Sequence, residues 1–318
     1  MKPLSLWKHA FCYVTLGLLC GWYFLILFLY PTLLYLAWCG SYIAGGIFLL
    51  FMILTFIPLK FKHWEGFMYC WIWDAWKEYF DFTANWDTVT EKLKKDEKNK
   101  KTSKLAFLEF PHGIFPMGQF LSASSIRDIT PNQMICGTGA DVVFMFPILR
   151  QIFTWIGTNP AKRINITKIL QRGDHLAIIP GGIAEMYLIN KDTEGIYLKK
   201  RLNTIKAIIQ EGADIVPVYF FGNTNLFHIT NNNNSNSFLA KISRKIRASI
   251  VLFYGRNYLP VPLRTPITMI TGKVIEINQK DFPSDEEVQC VMDKVVEAVA
   301  ELYDTKKPDW EKRPLVIQ

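Results

Sequence analysis

The chain has 318 residues, a formal net charge of +8 and 50% hydrophobic side chains, with 10 Trp and 23 Phe; its mean hydropathy is +0.12. A freely soluble chain of this length buries a large core yet needs a polar skin, so a positive mean places apolar surface outside that core. The aromatic richness excludes a disordered chain, and the length admits one domain of about 250 residues plus an extra segment.

Residues 10–59 contain no Asp, Glu, Lys, Arg or His, an uncharged run of 50 residues. A membrane span needs about 20, so the run has room for two. The pattern predicts spans over about 10–30 and 41–59, with the first helix stopped by Pro31, or else kinked there and turned at Cys39-Gly40-Ser41. Lys2, Lys8 and His9 flank one end, and Lys60, Lys62 and His63 the other. Basic flanks at both ends predict a hairpin whose two ends face the cytosol. The apolar stretch is too long for a signal peptide and no small-residue cleavage site follows it.

Three parts are expected: a membrane hairpin over 1–62, an amphipathic aromatic helix and Lys-rich linker over 63–104, and a cytosol-facing domain over 105–318. The six cysteines form no C-x-x-C pair and none has metal spacing to a His, which predicts free thiols and no metal site. In 61–82, Trp64, Trp71, Trp73 and Trp76 fall among charged residues at helical spacing. Such a helix suits the headgroup level, or the core of the domain that follows. Residues 91–104 carry seven lysines against three acids and read as a solvated linker able to touch anionic lipid.

From 105 onward short apolar runs alternate with longer mixed segments. Strands are expected at 105–110, 134–136, 176–179, 215–221 and 267–270, and helices at 142–155, 165–172, 199–211 and 285–303. That alternation predicts an α/β fold, a mostly parallel sheet with flanking helices. The tract 231–237, NNNNSNS, reads as a surface loop.

Two strand ends carry candidate chemistry. Leu108-Glu109-Phe110-Pro111-His112-Gly113 puts an imidazole at the carboxyl end of a strand, where α/β sheets hold ligands. Histidine is the usual general base near neutral pH. Pro180-Gly181-Gly182-Ile183-Ala184-Glu185 ends another strand in paired glycines and then an acid. Glycines let backbone N–H groups approach a ligand, and Glu185 is placed to orient His112. No Ser nucleophile elbow and no P-loop occurs, and Gly137-Thr138-Gly139 lacks the third glycine of a dinucleotide loop.

In this order the segments resemble the type-2 diacylglycerol acyltransferase family, which includes monoacylglycerol and wax-alcohol acyltransferases. The likeness runs from the Trp-rich 71–80 through Phe110-Pro111-His112-Gly113, Phe146-Pro147-Ile148-Leu149-Arg150 and Pro160-Ala161-Lys162-Arg163. It continues through Pro180 to Glu185, Gly212-Ala213-Asp214, Phe253-Tyr254-Gly255-Arg256 and Gly272-Lys273, and ends at Ala300-Glu301-Leu302-Tyr303-Asp304. It covers roughly residues 64–304. Departures are visible. Phe110 stands for the first His of His-Pro-His-Gly, Leu202-Asn203-Thr204 replaces a glycine and aromatic after Arg201, and Phe221-Gly222-Asn223-Thr224 lacks the acid of Phe-Gly-Glu-Asn. These leave the preferred acyl acceptor open.

The resemblance implies a glycerolipid-acyltransferase-like fold and an endoplasmic-reticulum membrane enzyme, also found on lipid droplets. It implies acyl-CoA as co-substrate, diacylglycerol or a related lipid alcohol as acceptor, and no cofactor or metal. Membrane lipids are expected partners, nucleic acid is not, and a homo-oligomer is left open. Combined with the chemistry, His112 is expected to deprotonate the acceptor and Glu185 to hold its other ring nitrogen. Amides around Pro111, Gly113, Gly181 and Gly182 are expected to face the oxyanion, and Arg163, Arg201, Arg256 and Arg264 are candidates for the CoA phosphates.

Overall fold

The computed structural model describes residues 3–125, 129–130, 133–230, 241, 243 and 251–318, so the tract 231–237 lies outside the described residues. The chain opens with α1, Leu6–Trp38, and α2, Tyr42–Phe56. The first helix does not stop at Pro31: it continues to Trp38, and the reversal falls at Cys39-Gly40-Ser41, where Gly40 takes φ +92°. Proline removes one backbone donor from a long ladder, and Thr32 Oγ1 adds a bond to Phe28 O at 2.8 Å beside the gap. The two helices lie side by side, with Tyr30 against Phe48 and Phe51, and Trp22 against Phe51.

After α3 (Glu65–Met68), α4 (Trp71–Tyr79), β1 (Thr83–Asn85) and α5 (Asp87–Lys98) come β2 (Leu105–Phe110), α6 (Met117–Ala123), β3 (Ile135–Gly139) and α7 (Leu149–Trp155). Next are β4 (Asn159–Pro160), α8 (Arg163–Gln171), β5 (His175–Ile178), α9 (Ile183–Met186), β6 (Glu194–Ile196), α10 (Leu202–Glu211) and β7 (Asp214–Phe221). The chain ends with β8 (His228–Ile229), β9 (Phe253–Tyr254), β10 (Thr268–Thr271), α11 (Asp285–Lys306) and β11 (Leu315–Ile317). The helix expected over 142–155 is broken: a 3₁₀ turn, Asp141–Met145, precedes α7, with Pro147 between them and Ile148 at φ +67°.

Among the described residues the main sheet has seven strands in the order β1-β10-β7-β2-β5-β3-β4. The central pairs β7·β2, β2·β5 and β5·β3 are parallel, and β10 runs antiparallel to β7. This is the expected mostly parallel α/β sheet with one antiparallel strand near an edge. Alternation along β2 and β7 divides the core. Leu105, Phe107, Val216, Val218 and Phe220 face one layer, and Ala106, Leu108, Ile215, Tyr219 and Phe221 the other.

The first layer is where the apolar run partly goes. Cys12, Leu16, Leu19, Cys20, Trp22 and Ile26 of α1 are buried in it together with Trp73, Trp76 and Phe120. Trp22 Nε1 donates to Pro147 O at 2.8 Å, Trp76 Nε1 to Thr15 Oγ1 at 3.0 Å, and Lys8 pairs with Glu78. One face of α1 up to Ile26 is therefore protein core rather than lipid contact. Beyond it Leu27, Phe28, Leu34, Tyr35, Trp38 and Ile43 are exposed. Arg150 Nη1 and Gln151 Nε2 donate to Leu54 O near the end of α2, so both ends of the hairpin are tied to the α/β unit and its turn points away. Among the described residues α1 is long and apolar enough to cross a membrane; α2 has 15 residues, about 22 Å, against a hydrocarbon core of about 30 Å.

Two further expectations change. Trp73 and Trp76 are core, and only Trp64 and Trp71 are exposed. The lysine-rich segment is mostly the helix α5, not a linker. Lys92 is buried in it, 3.1 Å from Asp96 and 2.9 Å from Asp214 at the start of β7, and those carboxylates hold its ammonium above the usual lysine range. With β1 in the main sheet, the α/β unit begins before residue 105.

Candidate active site

Three strand ends meet because of register. β2 pairs Leu108 with Ile178 of β5 and Phe110 with Tyr219 of β7, so the segments that follow leave the same edge as neighbours. They are Pro111-His112-Gly113, Pro180 to Glu185, and Gly222-Asn223.

The half-buried His112 has its Nδ1 2.8 Å from Gly113 O. A carbonyl only accepts, so Nδ1 carries the proton and Nε2 holds the lone pair. Nε2 has no hydrogen-bond partner among the described residues. Burial lowers the imidazole pKa from its usual value, and the bond to Gly113 opposes that. The ring is thus neutral at pH 7, with one basic atom free.

Glu185 does not touch the ring, contrary to the role expected for it. Its Oε2 accepts from the His112 backbone N–H at 2.7 Å and its Oε1 from the Tyr197 N–H at 3.0 Å. The ring position that a His–acid pair would use is taken by Gly113 O. Glu185 is a backbone clamp joining the β2 end to the β6–α10 connection. Burial pushes its pKa up to about 7, with the two amides and Arg201 acting downward and Glu194 upward. A Cβ at Gly181 would collide with the Glu185 carboxyl, which accounts for that glycine.

The third strand end supplies a residue that sequence reasoning missed. Buried Asn223 donates through Nδ2 to Pro111 O at 3.0 Å and His112 O at 2.9 Å, and accepts the Gly118 N–H at 2.9 Å. Gln119 Nε2 adds a bond to Pro111 O at 3.0 Å. Gly113 sits at φ +65°, and a Cβ there would lie 2.7 Å from Asn223 O. The signal was present in Phe221-Gly222-Asn223-Thr224, which reads from sequence only as a lost acid. The Gly113, Gly181 and Gly182 amides donate no hydrogen bond among the described residues, so they remain available to a ligand.

The four arginines do not converge. Arg201 is at the site: Nη2 donates to Gly181 O at 2.9 Å and the guanidinium lies over the Tyr197 ring. Arg256 contacts His9 and Tyr13, and Arg264 donates to Tyr79 O, so these two stand together beside α1 and α4. Arg163 opens α8 in the opposite layer and bonds Gln210 on the surface. The six cysteines are free, and no cluster of metal-ligating side chains occurs among the described residues.

A family profile described as diacylglycerol acyltransferase matches residues 42–318. The chain is 24% identical over 273 residues to diacylglycerol O-acyltransferase 1 of Eremothecium gossypii, covering 80% of this chain and 57% of that one. It is 25% identical over 325 residues to diacylglycerol O-acyltransferase 2 of Xenopus tropicalis, covering 96% and 85%. It is 27% identical over 252 residues to human acyl-CoA wax alcohol acyltransferase 2, covering 74% and 73%. The chain spans about three fifths of the length of the first curated relatives it matches, 57% and 61%. Among solved structures, the 1-acyl-sn-glycerophosphate acyltransferase of Thermotoga maritima aligns with TM-score 0.43 at 10% identity, over 90% of this chain and 98% of that one.

Proposed function

The chain belongs to the diacylglycerol acyltransferase family, and from that premise we propose that it is a membrane-bound, acyl-CoA-dependent O-acyltransferase that makes triacylglycerol from diacylglycerol. The observation that carries the mechanism is the His112 ring, its Nδ1–H committed to Gly113 O and its Nε2 free at the meeting of three strand ends. Nε2 takes the proton of the acceptor hydroxyl as the oxygen attacks the thioester carbonyl. The C–S bond then breaks, and the imidazolium returns the proton to the CoA sulfur. The products are an ester and free CoA, with no covalent enzyme intermediate and no cofactor or metal.

Developing negative charge on the carbonyl oxygen falls to the Gly113, Gly181 and Gly182 amides, each such donor being worth about 3 kcal/mol. Glu185 and Asn223 position the loop rather than react. Arg201 at the site and the Arg256–Arg264 pair beside α1 suit the CoA phosphates. The exposed apolar part of the hairpin supports entry into the bilayer with both ends cytosolic, and family membership supports the endoplasmic-reticulum membrane as its site. The wax-alcohol relative supports a second acceptor class within the same chemistry.

The test is a microsomal assay with labelled oleoyl-CoA and dioleoylglycerol. The His112→Ala enzyme is expected to lose about a hundredfold or more in rate. Undiminished triacylglycerol formation by that variant would refute the mechanism.

A further inference from the structure

Glu109 stands three residues before His112, and its side chain belongs to neither the base nor the clamp. Strand alternation on β2 turns it with Phe107 toward the layer that holds α1, α4 and α6. There it lines a cavity of about 70 Å³ with Gln119, Phe120, Thr138, Phe153 and Thr158. It is 9% exposed, and its carboxyl makes no hydrogen bond or ion pair among the described residues. Among the described residues it is also the only ionisable side chain lining that space.

An unpartnered buried carboxyl costs stability, whereas an apolar residue at this strand position would cost none. Burial pushes its pKa up to about 8, so at neutral pH it keeps its proton and can donate as well as accept. The cavity shares a wall with the His112 loop, since Gln119 lines it and also donates to Pro111 O at 3.0 Å. A water needs about 10–15 Å³ of such space, so the cavity has room for a hydroxymethyl or ester group beside the carboxyl.

We propose that Glu109 determines acceptor specificity: its carboxyl takes a non-reacting hydroxyl or ester oxygen of a glycerol backbone while the neighbouring hydroxyl faces His112. This rests on the acyltransferase reading above and deepens it. A simple long-chain alcohol has no second oxygen to offer, so the residue separates acylglycerol acceptors from wax alcohols.

The test uses the full chain in microsomes, with oleoyl-CoA and with dioleoylglycerol and hexadecanol in competition. Loss of one neutral hydrogen bond corresponds to roughly a tenfold effect. For Glu109→Leu the KM for dioleoylglycerol is expected to rise about tenfold, with the KM for oleoyl-CoA unchanged and the triacylglycerol to wax-ester ratio falling in step. Glu109→Gln, which keeps a donor and an acceptor, is expected to stay near the wild type. An unchanged KM for dioleoylglycerol in an active Glu109→Leu enzyme, or equal rises for both substrates, overturns the assignment and leaves the acyltransferase reading standing. A wild type that acylates neither acceptor overturns both.

Discussion

Replacing Glu185 with Gln separates a backbone clamp from a ring-orienting acid. The wild-type carboxylate accepts two backbone amides, at 2.7 and 3.0 Å, and receives both fully only when ionised. Gln offers one carbonyl oxygen and turns its NH2 toward the other amide. One charge-assisted hydrogen bond is lost, worth about 1.5–3 kcal/mol, or roughly 10–150-fold in rate if all of it falls on the His112 loop. An acid holding the imidazole would cost about 10⁴-fold when made an amide, because the wrong tautomer results.

The pH profile sharpens the difference. Glu185 titrates at about 7, with Arg201, Glu194, Tyr219 and His112 around it, while burial holds His112 below its ordinary value. Measured as kcat/KM between about pH 5 and 9, the acid limb of the wild type is expected to follow Glu185, near 7. In Glu185→Gln the limb is expected to drop to His112, below 6.5. A limb that does not move, or a loss near 10⁴-fold, would refute the clamp.

Other outcomes follow from single contacts. Asn223→Asp cannot donate to the Pro111 and His112 carbonyls, so activity is expected to fall at least about tenfold and stability by about 1–3 kcal/mol, read by assay and thermal melting. Lys92→Met leaves Asp96 and Asp214 buried without their cation and is expected to cost about 3–5 kcal/mol by denaturant titration in detergent. Glu109 has a folded-state pKa raised to about 8, so its contribution to stability is present at acid pH and is lost as pH rises toward 8. Relative to Glu109→Gln, the wild type is expected to lose up to about 1.4 kcal/mol per pH unit over that interval.

The strands that build the site were legible because each is a short apolar run ended by Pro or Gly, and both loops at His112 and Glu185 could be located. What Glu185 bonds could not be read, because its partners are backbone amides, which every residue carries. Asn223 was hidden for a related reason: only the β2–β7 register brings it under Pro111, and sequence shows no register. The 50-residue apolar run misled in part, since an uncharged helix face looks the same whether lipid or protein covers it, and Leu16 and Cys20 of α1 meet protein. Lys92 read as solvated because one of its two acids, Asp214, lies 122 residues further along the chain and only the fold brings it near.

The two buried carboxyls beside His112 have opposite requirements. Glu185 holds its two amides best without a proton, and Glu109 donates to a glycerol oxygen only with one. Their values, about 7 and about 8, leave a band between them in which the first is largely ionised and the second largely neutral. Acylation of dioleoylglycerol is therefore expected to follow a bell centred in that band, with the limbs separately removable. Glu109→Gln should flatten the alkaline limb alone and Glu185→Gln should displace the acid limb alone. With hexadecanol, which has no oxygen for Glu109, the wild type should already lack the alkaline limb. An alkaline limb of equal position for both acceptors would place that titration on another group, because among the described residues Glu109 is the only ionisable side chain lining the cavity. Both acids make the folded chain less stable as pH rises through their values, so the optimum falls where the site functions and not where the fold is most stable.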